Sequence, residues 1–455
     1  ETNGNLIRAG ASLAQLQASQ SLCPWMDVTF KSYGLWSPFA VTTGPMDLAQ
    51  FFAYNNIKAD VGSSDRSNLG HLFDMLYTKA ERTQSLDEGF RGLPAIGSAI
   101  MSRIDLDSLS NEPWTALMSD IRKDADAGIT AKILLLGSIF GGTGASGLPT
   151  IGRLLTDKLA KENLKKAQVG AVFFLPYFQF QPRGQVDELY ARADLFSLNT
   201  ESALRYYRDQ ARGIFSYVYL LGCSARSSYE FSTGKQDQAN QAHVVEIYST
   251  LAAEHFLCEP TSTGFAQEAT VVLMSRGQSE QVTWMDIPGG SAVQEQFAQS
   301  VRFAYLWLDS FYPTLVEAKA LGPGAVAKAE PWFAQFFRAR PMSALPPFDE
   351  KQMQTAEIVQ QWCQQFWKWL YSIHYYSGEG HEIALFICPA LDELGVGMKG
   401  ELLLDLVEGR QITDRERQAD TVRAIKLELQ QYRSRQGGIR SLVKALYDLS
   451  KLRKS

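Results

Sequence analysis

Between residues 111 and 221, short apolar runs alternate with longer stretches whose apolar positions recur every three to four residues. The runs at 131–136, 169–175 and 214–221 have the length of strands and little polar alternation, the pattern of strands covered on both faces. The stretches at 113–126, 148–166 and 200–211 read as helices, the first stopped at Gly128. This order predicts an α/β fold with a parallel sheet and helices on its faces. Downstream, 237–257 reads as one long central helix with Asp237 as its N-cap, 269–275 and 281–287 as a hairpin, and 291–310 as a further helix. Pro346-Pro347 marks a hinge, after which the chain reads as mainly helical, with an aromatic-rich segment at 362–376 and a last helix pair at 413–452. The first 85 residues read less clearly, with an amphipathic stretch at 6–16, a strand-like patch near Val28 and a helix at 68–80. The expected division is 1–235, a central helix at 236–258, a second domain at 259–345 and a helical C-terminal region at 346–455.

Composition narrows the chemistry. The chain has 455 residues, 45% of them hydrophobic and 11% aromatic, which is ample for a buried core. A formal charge of -5 gives no general pull toward nucleic acid, and no apolar run reaches the length of a membrane span. The five cysteines are widely spaced and form no Cys-x-x-Cys pair, which fits a reducing cytoplasm. No pair of histidines has metal-ligand spacing: His243 and His255 lie twelve apart on one expected helix. From Arg410 onward twelve Lys/Arg face five Asp/Glu, a bias that suits either a solvated helical face or a protein-partner surface.

The most specific chemistry lies just after the first apolar run, in Gly141-Gly142-Thr143-Gly144-Ala145-Ser146-Gly147. A loop with few side chains lets successive amides converge on one anion, and a helix starting behind it adds the positive end of its dipole. Three phosphate-binding designs compete. A P-loop needs Lys-Ser/Thr after the last glycine, where this chain has Leu148-Pro149. A dinucleotide fold matches the bare spacing from Gly142 to Gly147, but the next strand ends in Leu175-Pro176 without the carboxylate that holds a ribose.

The third design covers more of the chain. GGTGASG followed by LPTIG resembles the phosphate loop of the tubulin/FtsZ superfamily, and three other segments resemble that family in the same order. Gly89-Phe90-Arg91-Gly92-Leu93-Pro94-Ala95-Ile96-Gly97 is similar to its terminal-phosphate loop, 171–181 to its strand and ribose loop, and Asp237-Gln238-Ala239-Asn240 to the opening of its central helix. The resemblance implies that Gly141, Gly142, Thr143, Gly144, Ala145, Ser146 and Gly147 hold phosphates through backbone amides. Thr143 and Ser146 would add hydroxyl contacts or help place Mg2+. Arg91 and Gly92 would meet the terminal phosphate, Gln181 and Arg183 the ribose, and Asn240 the guanine edge. Asn240 is open to a plainer reading as a polar helix start. The implied ligand is GTP or GDP with Mg2+. The implied behaviour is end-to-end self-association into filaments, with hydrolysis completed across subunits.

Departures from the family are equally concrete. Its first strand and first glycine turn have no clear counterpart in residues 1–85, and the chain opens at Glu1 rather than methionine, so they are expected to precede this start or to be missing from the site. Gln181 replaces a glutamate, and the base-stacking aromatic before Asn240 is absent, leaving Tyr229 or Phe231 as substitutes. The hydrolytic carboxylate is assigned to Asp286, with Glu259 and Glu295 as rivals and a structural turn residue as the plainer reading. The alternative function is a tubulin-like scaffold that keeps a nucleotide and has lost hydrolysis.

Overall fold

The computed structural model describes residues 33, 36–38, 46–59, 64–86, 89–164, 166–180, 192–210, 212–223, 227–229, 243–260, 268–273, 281–375, 383–390, 394, 403, 405–409, 421–433 and 436–451. They fall into two compact units, one drawn mainly from Lys31–Asn240 and Val245–Ser275 and the other mainly from Arg276–Ser455.

In the first unit four short helices, α1 (Leu48–Phe51), α2 (Tyr54–Ala59), α3 (Ser64–Leu76) and α4 (Lys79–Thr83), precede α5 (Pro94–Met101) and α6 (Trp114–Asp126). The expected helix at 68–80 is split in two because Thr78 is extended and caps α4: its hydroxyl accepts from Glu81 N, and the Glu81 carboxylate accepts from Thr78 N. α6 ends as expected. Gly128 takes φ +77°, and the amides of Gly128 and Ile129 bond back to Ala125 and Asp124, which closes the last turn.

The sheet contains β1 (Lys132–Ser138), β2 (Gln168–Phe174), β4 (Tyr217–Leu221) and β6 (Thr270–Leu273) in that order, every pair parallel. The connections run through α7 (Gly142–Lys161), α8 (Phe196–Gln210) and α9 (Val245–Cys258), while β3 (Phe178–Phe180) and β5 (Ser227–Tyr229) form a separate parallel pair. This is the expected α/β architecture with a parallel sheet. Alternate residues of β2 face opposite clusters: Val169, Ala171 and Phe173 pack with Leu155 and Leu159 of α7 and Tyr207 of α8, whereas Val172 packs with Ala252 and Phe256 of α9. A strand covered on both faces has no polar side to display, hence the unbroken apolar run.

Three expectations about this region change. The run 269–275 does not form a hairpin with 281–287. Thr270–Leu273 is instead a parallel edge strand on β4, and Val282 makes a lone bridge to Ile383. The central helix starts at Val245 rather than near Asp237, because His243 and Val244 precede it in non-helical conformation. α7 starts at Gly142, six residues before the expected Leu148.

The second unit is helical in its described residues. α10 (Gly290–Leu306) runs through a π-helical turn (Trp307–Phe311) into α11 (Tyr312–Leu321), followed by α12 (Pro323–Ala329), α13 (Glu350–Tyr375), α14 (Val422–Gln431) and α15 (Gly438–Leu449). Phe303, Ala304, Tyr305, Leu306 and Trp307 are all fully buried, so this stretch is apolar all round and forms the centre of the unit. Trp367 and Leu370 are buried as well, while Trp362, Phe366 and Trp369 stack in a half-buried row along α13. Two α10 side chains close the end of α15: Gln299 donates to the Tyr447 carbonyl at 2.9 Å and the buried Arg302 donates to the Ser450 carbonyl at 2.9 Å. A cation at a helix C-terminus also meets the negative end of its dipole. Pro346-Pro347 is not a hinge between domains. Arg338 binds this loop through its amide to the Pro346 carbonyl and its guanidinium to the Leu345 carbonyl, and the flanking elements belong to one unit.

Candidate functional site

The carboxyl ends of β1 and β2 bring together two of the segments singled out from sequence. After β1, the Ile139 amide donates to the Phe174 carbonyl at 3.0 Å, and the Phe140 ring packs against Phe196 and Phe178 with centroids 4.9 and 5.3 Å away. Gly141, extended at φ -90° and ψ 175°, is the N-cap of α7 and supplies no side-chain cap. Gly142, Thr143 and Gly144 therefore open the first helical turn with amides that have no carbonyl four residues back within the helix, while Ala145 is the first whose i−4 partner, Gly141, is the N-cap. Together with the dipole, this end favours an anion.

Close packing explains the glycines as well as ligand access would. A Cβ on Gly144 would lie 2.2 Å from the Ser138 carbonyl oxygen, and one on Gly142 would lie 2.7 Å from Phe90 Cβ. Across the α5–α7 contact, a Cβ on Gly97 would lie 2.2 Å from Ser146 Oγ. Gly147 is the exception, since a Cβ there would meet Met101 Cε at an ordinary 3.5 Å. These contacts draw the strand end, the 90–93 turn and α5 tightly around the start of α7.

The two hydroxyls of the expected phosphate loop diverge. Ser146 is buried, and its Oγ donates to the Gly142 carbonyl at 2.7 Å, so it faces into the helix rather than toward phosphate or Mg2+. Thr143 is exposed on the first turn. The sequence reading treated them alike because a glycine loop has no inside, whereas a helix has one.

Arg91 and Gly92 lie beside this turn. Phe90 through Leu93 form a β-turn closed by Leu93 N to Phe90 O at 2.7 Å, with φ +41° at Arg91 and +74° at Gly92, the left-handed pattern of a type I′ turn. Glycine adopts this conformation freely and arginine does not. The turn abuts Gly142, whose added Cβ would sit 3.1 Å from both Leu93 N and Phe90 O. Pro94 then opens α5, a position where its missing amide hydrogen is not needed.

Asn199 in the first turn of α8 was not singled out from sequence. Its Nδ2 donates to the Phe140 carbonyl at 3.2 Å and the Gly92 carbonyl at 3.4 Å, joining the two glycine segments. Nothing local distinguishes it from any polar residue near a helix start.

An aromatic wall adjoins the loop, made by Phe140, Phe178, Phe180 and Phe196 with Tyr177 and Tyr229 against them. Burial, then the nearby Glu246 carboxylate, pushes the Tyr177 phenol well above its ordinary range, so it remains a neutral donor. Tyr229 packs 5.9 Å from the Phe178 ring. Gln181, Arg183, Phe231 and Asn240 lie outside the described residues. A shallow cleft of about 420 Å³ opens between Leu175-Pro176, within the 171–181 segment singled out from sequence, and Thr200 and Leu204 of α8.

Asp286 belongs to the other unit. Its Oδ2 accepts from Thr283 N at 2.7 Å and Thr283 Oγ1 at 3.0 Å, forming a capping box on the short 3-10 turn Trp284–Asp286. The carboxylate thus has a structural task in its own chain. Among the described residues, no group of three or more His, Cys, Asp or Glu is placed to hold a metal ion, and no helix is long and apolar enough to cross a membrane.

No family model matches the chain, and neither a curated protein nor a solved structure matches it.

Proposed function

We propose that the first unit binds a guanine nucleotide, GTP or GDP, in the manner of tubulin/FtsZ-like proteins, and that copies of the chain associate end to end. One observation carries this reading: the Arg91-Gly92 turn and the Gly141–Gly144 turn, fifty residues apart in sequence, converge on one helix N-terminus at the carboxyl edge of a parallel sheet. Open parallel sheets characteristically place ligands outside the carboxyl ends of their strands. The first-turn amides of α7 would hold phosphate oxygens, Arg91 would neutralise the terminal phosphate, and the aromatic wall would shield the sugar side. Thr143 is the exposed hydroxyl at this end, and the described residues form no carboxylate cage there. Such a donor set suits Mg2+ held mainly by nucleotide phosphates and water. The metal would neutralise phosphate charge.

Titration calorimetry tests the binding. The full chain is expected to take up GTP and GDP with one site each and to prefer GTP to ATP. Absence of heat for both guanine nucleotides at high micromolar protein would end the proposal.

The Asp286 cap favours a second reading, a nucleotide-holding scaffold without turnover. The two readings part on one measurement, phosphate release per subunit over a wide protein concentration range. Assembly-coupled hydrolysis predicts turnover that rises with concentration and is lost in Asp286→Ala. Thr283→Ala supplies the control, since it breaks the same cap, at about 1 kcal/mol, while leaving the carboxylate. Equal loss in both variants would assign Asp286 to structure alone, and no turnover at any concentration would leave the scaffold.

A further inference from the structure

We propose that Asn199 is the positioning residue that sets the spacing between the two halves of the candidate nucleotide site, and thereby its preference for a nucleoside triphosphate over a diphosphate. This rests on the nucleotide reading above. The observation is the pair of bonds from one Nδ2 to the Phe140 and Gly92 carbonyls, at 3.2 and 3.4 Å. An amide nitrogen has two hydrogens, so both are engaged. The flipped amide would aim its oxygen at two carbonyl oxygens, which leaves the donating orientation as the only favourable one.

Those two carbonyls are not arbitrary points. The peptide unit is planar and trans, so fixing the Phe140 carbonyl also fixes the Gly141 amide on its opposite side. Gly141 is the N-cap of α7, the entry to the phosphate-facing turn. The Gly92 carbonyl lies within the turn, closed by Leu93 N to Phe90 O, that carries Arg91 in a left-handed conformation that arginine does not choose unaided. One side chain on a third element, α8, therefore holds the Gly141 amide and the Arg91 backbone in a single register. A site divided in this way lets the diphosphate portion rest on the α7 turn, while the terminal phosphate depends on Arg91 being held at the right distance. Loss of the clamp should thus cost the triphosphate more than the diphosphate.

The experiment uses the full chain and three variants, Asn199→Ala, Asn199→Asp and Asn199→Gln, with two readouts. Amide hydrogen exchange of the nucleotide-free protein is expected to rise about tenfold at Arg91–Leu93 and at Gly141 in Asn199→Ala, with little change at β2. Calorimetry is expected to give an affinity about tenfold lower for GTP and less than threefold lower for GDP, consistent with two lost hydrogen bonds. Asn199→Asp, which matches asparagine in shape but turns an acceptor toward both carbonyls, is expected to behave like alanine. Asn199→Gln, which keeps the donors, should recover part of the GTP preference. A residue that merely stabilises the fold would lower both affinities alike along with the melting temperature, and that result overturns the proposal. So does unchanged exchange at both segments. If the wild type binds GTP but all variants keep its preference over GDP, the clamp fails and the nucleotide reading stands. If the wild type binds neither nucleotide, both fall.

Discussion

Gly144→Ala is expected to lower the stability of the first unit by about 2–3 kcal/mol, even though it exchanges a poor helix former for the best one. Helix propensity alone favours the change by about 1 kcal/mol. Geometry decides the sign. The new Cβ would sit 2.2 Å from the Ser138 carbonyl oxygen, 2.9 Å from its amide nitrogen and 3.1 Å from its carbonyl carbon. All three are backbone atoms at the end of β1, held in register opposite Phe174 of β2, so no rotamer change can relieve the overlap. Either α7 lifts away from the sheet or the end of the ladder breaks. Overpacking of this kind typically costs 1–3 kcal/mol and sometimes more. Gly147→Ala provides the matched control, because its Cβ would meet only Met101 Cε at 3.5 Å, and it is expected to be neutral or slightly stabilising. Thermal melts of the two variants side by side check this. A Gly144→Ala protein melting at or above the wild type would mean that α7 does not approach Ser138 so closely, and the account of the glycine turn would have to be rebuilt.

The second large effect is expected in the other unit. Arg302→Met should destabilise it by about 2–3 kcal/mol and expose α15 to protease. Arg302 is 1% exposed, and its guanidinium donates to the Ser450 carbonyl at 2.9 Å and the Leu403 carbonyl at 3.4 Å. Methionine preserves most of the packing and removes the desolvation cost of a buried charge, which limits the damage. What it cannot replace is a donor for the Ser450 carbonyl, on a residue that is itself fully buried. Charge-assisted hydrogen bonds contribute about 1.5–3 kcal/mol, and stranding a buried acceptor costs about 1–3 kcal/mol. Arg302→Lys keeps the charge without the planar fork and should recover only part of the loss. Urea unfolding measures the stability, and limited proteolysis followed by mass spectrometry reads the release of Gly438–Leu449. A Met variant within 0.5 kcal/mol of wild type would show that α15 is held by its apolar face alone.

The parallel sheet was legible because β2 is an unbroken apolar run and the helices that cover it carry apolar positions that recur with helical periodicity. Strand pairing at a distance was not. The run around Val271 and Val272 has the same composition whether it turns back on a neighbour or pairs with β4 some fifty residues earlier, and periodicity alone does not choose. The start of α7 was hidden for a different reason. Three glycines in six residues, with Pro149 soon after, argue for a loop on propensity, and only the tight approach to Ser138 and Phe90 makes a glycine-rich helical turn the better solution. Within the candidate site, Gly141 to Gly144 and Arg91-Gly92 stood out in sequence, and the structure places them side by side. Asn199 did not stand out, since its importance lies in which two carbonyls it reaches. At Asp286 a second signal was present in the sequence: Thr283-Trp284-Met285-Asp286 has the spacing of a capping box, and the carboxylate makes those bonds.

The strand order β1-β2-β4-β6 follows the order of synthesis, and this bears on how the protein is made. Among the described strands of the main sheet, β2, β4 and β6 each find an earlier partner already in place as they leave the ribosome, with no described strand to be inserted between them later. Parallel sheets are slow to close because every pairing spans a helix and its loops. Here that delay is divided into successive steps, each limited to one crossover. The apolar β2 run gains β1 and α7 first, then α8 and β4, and its second face is covered when α9 follows.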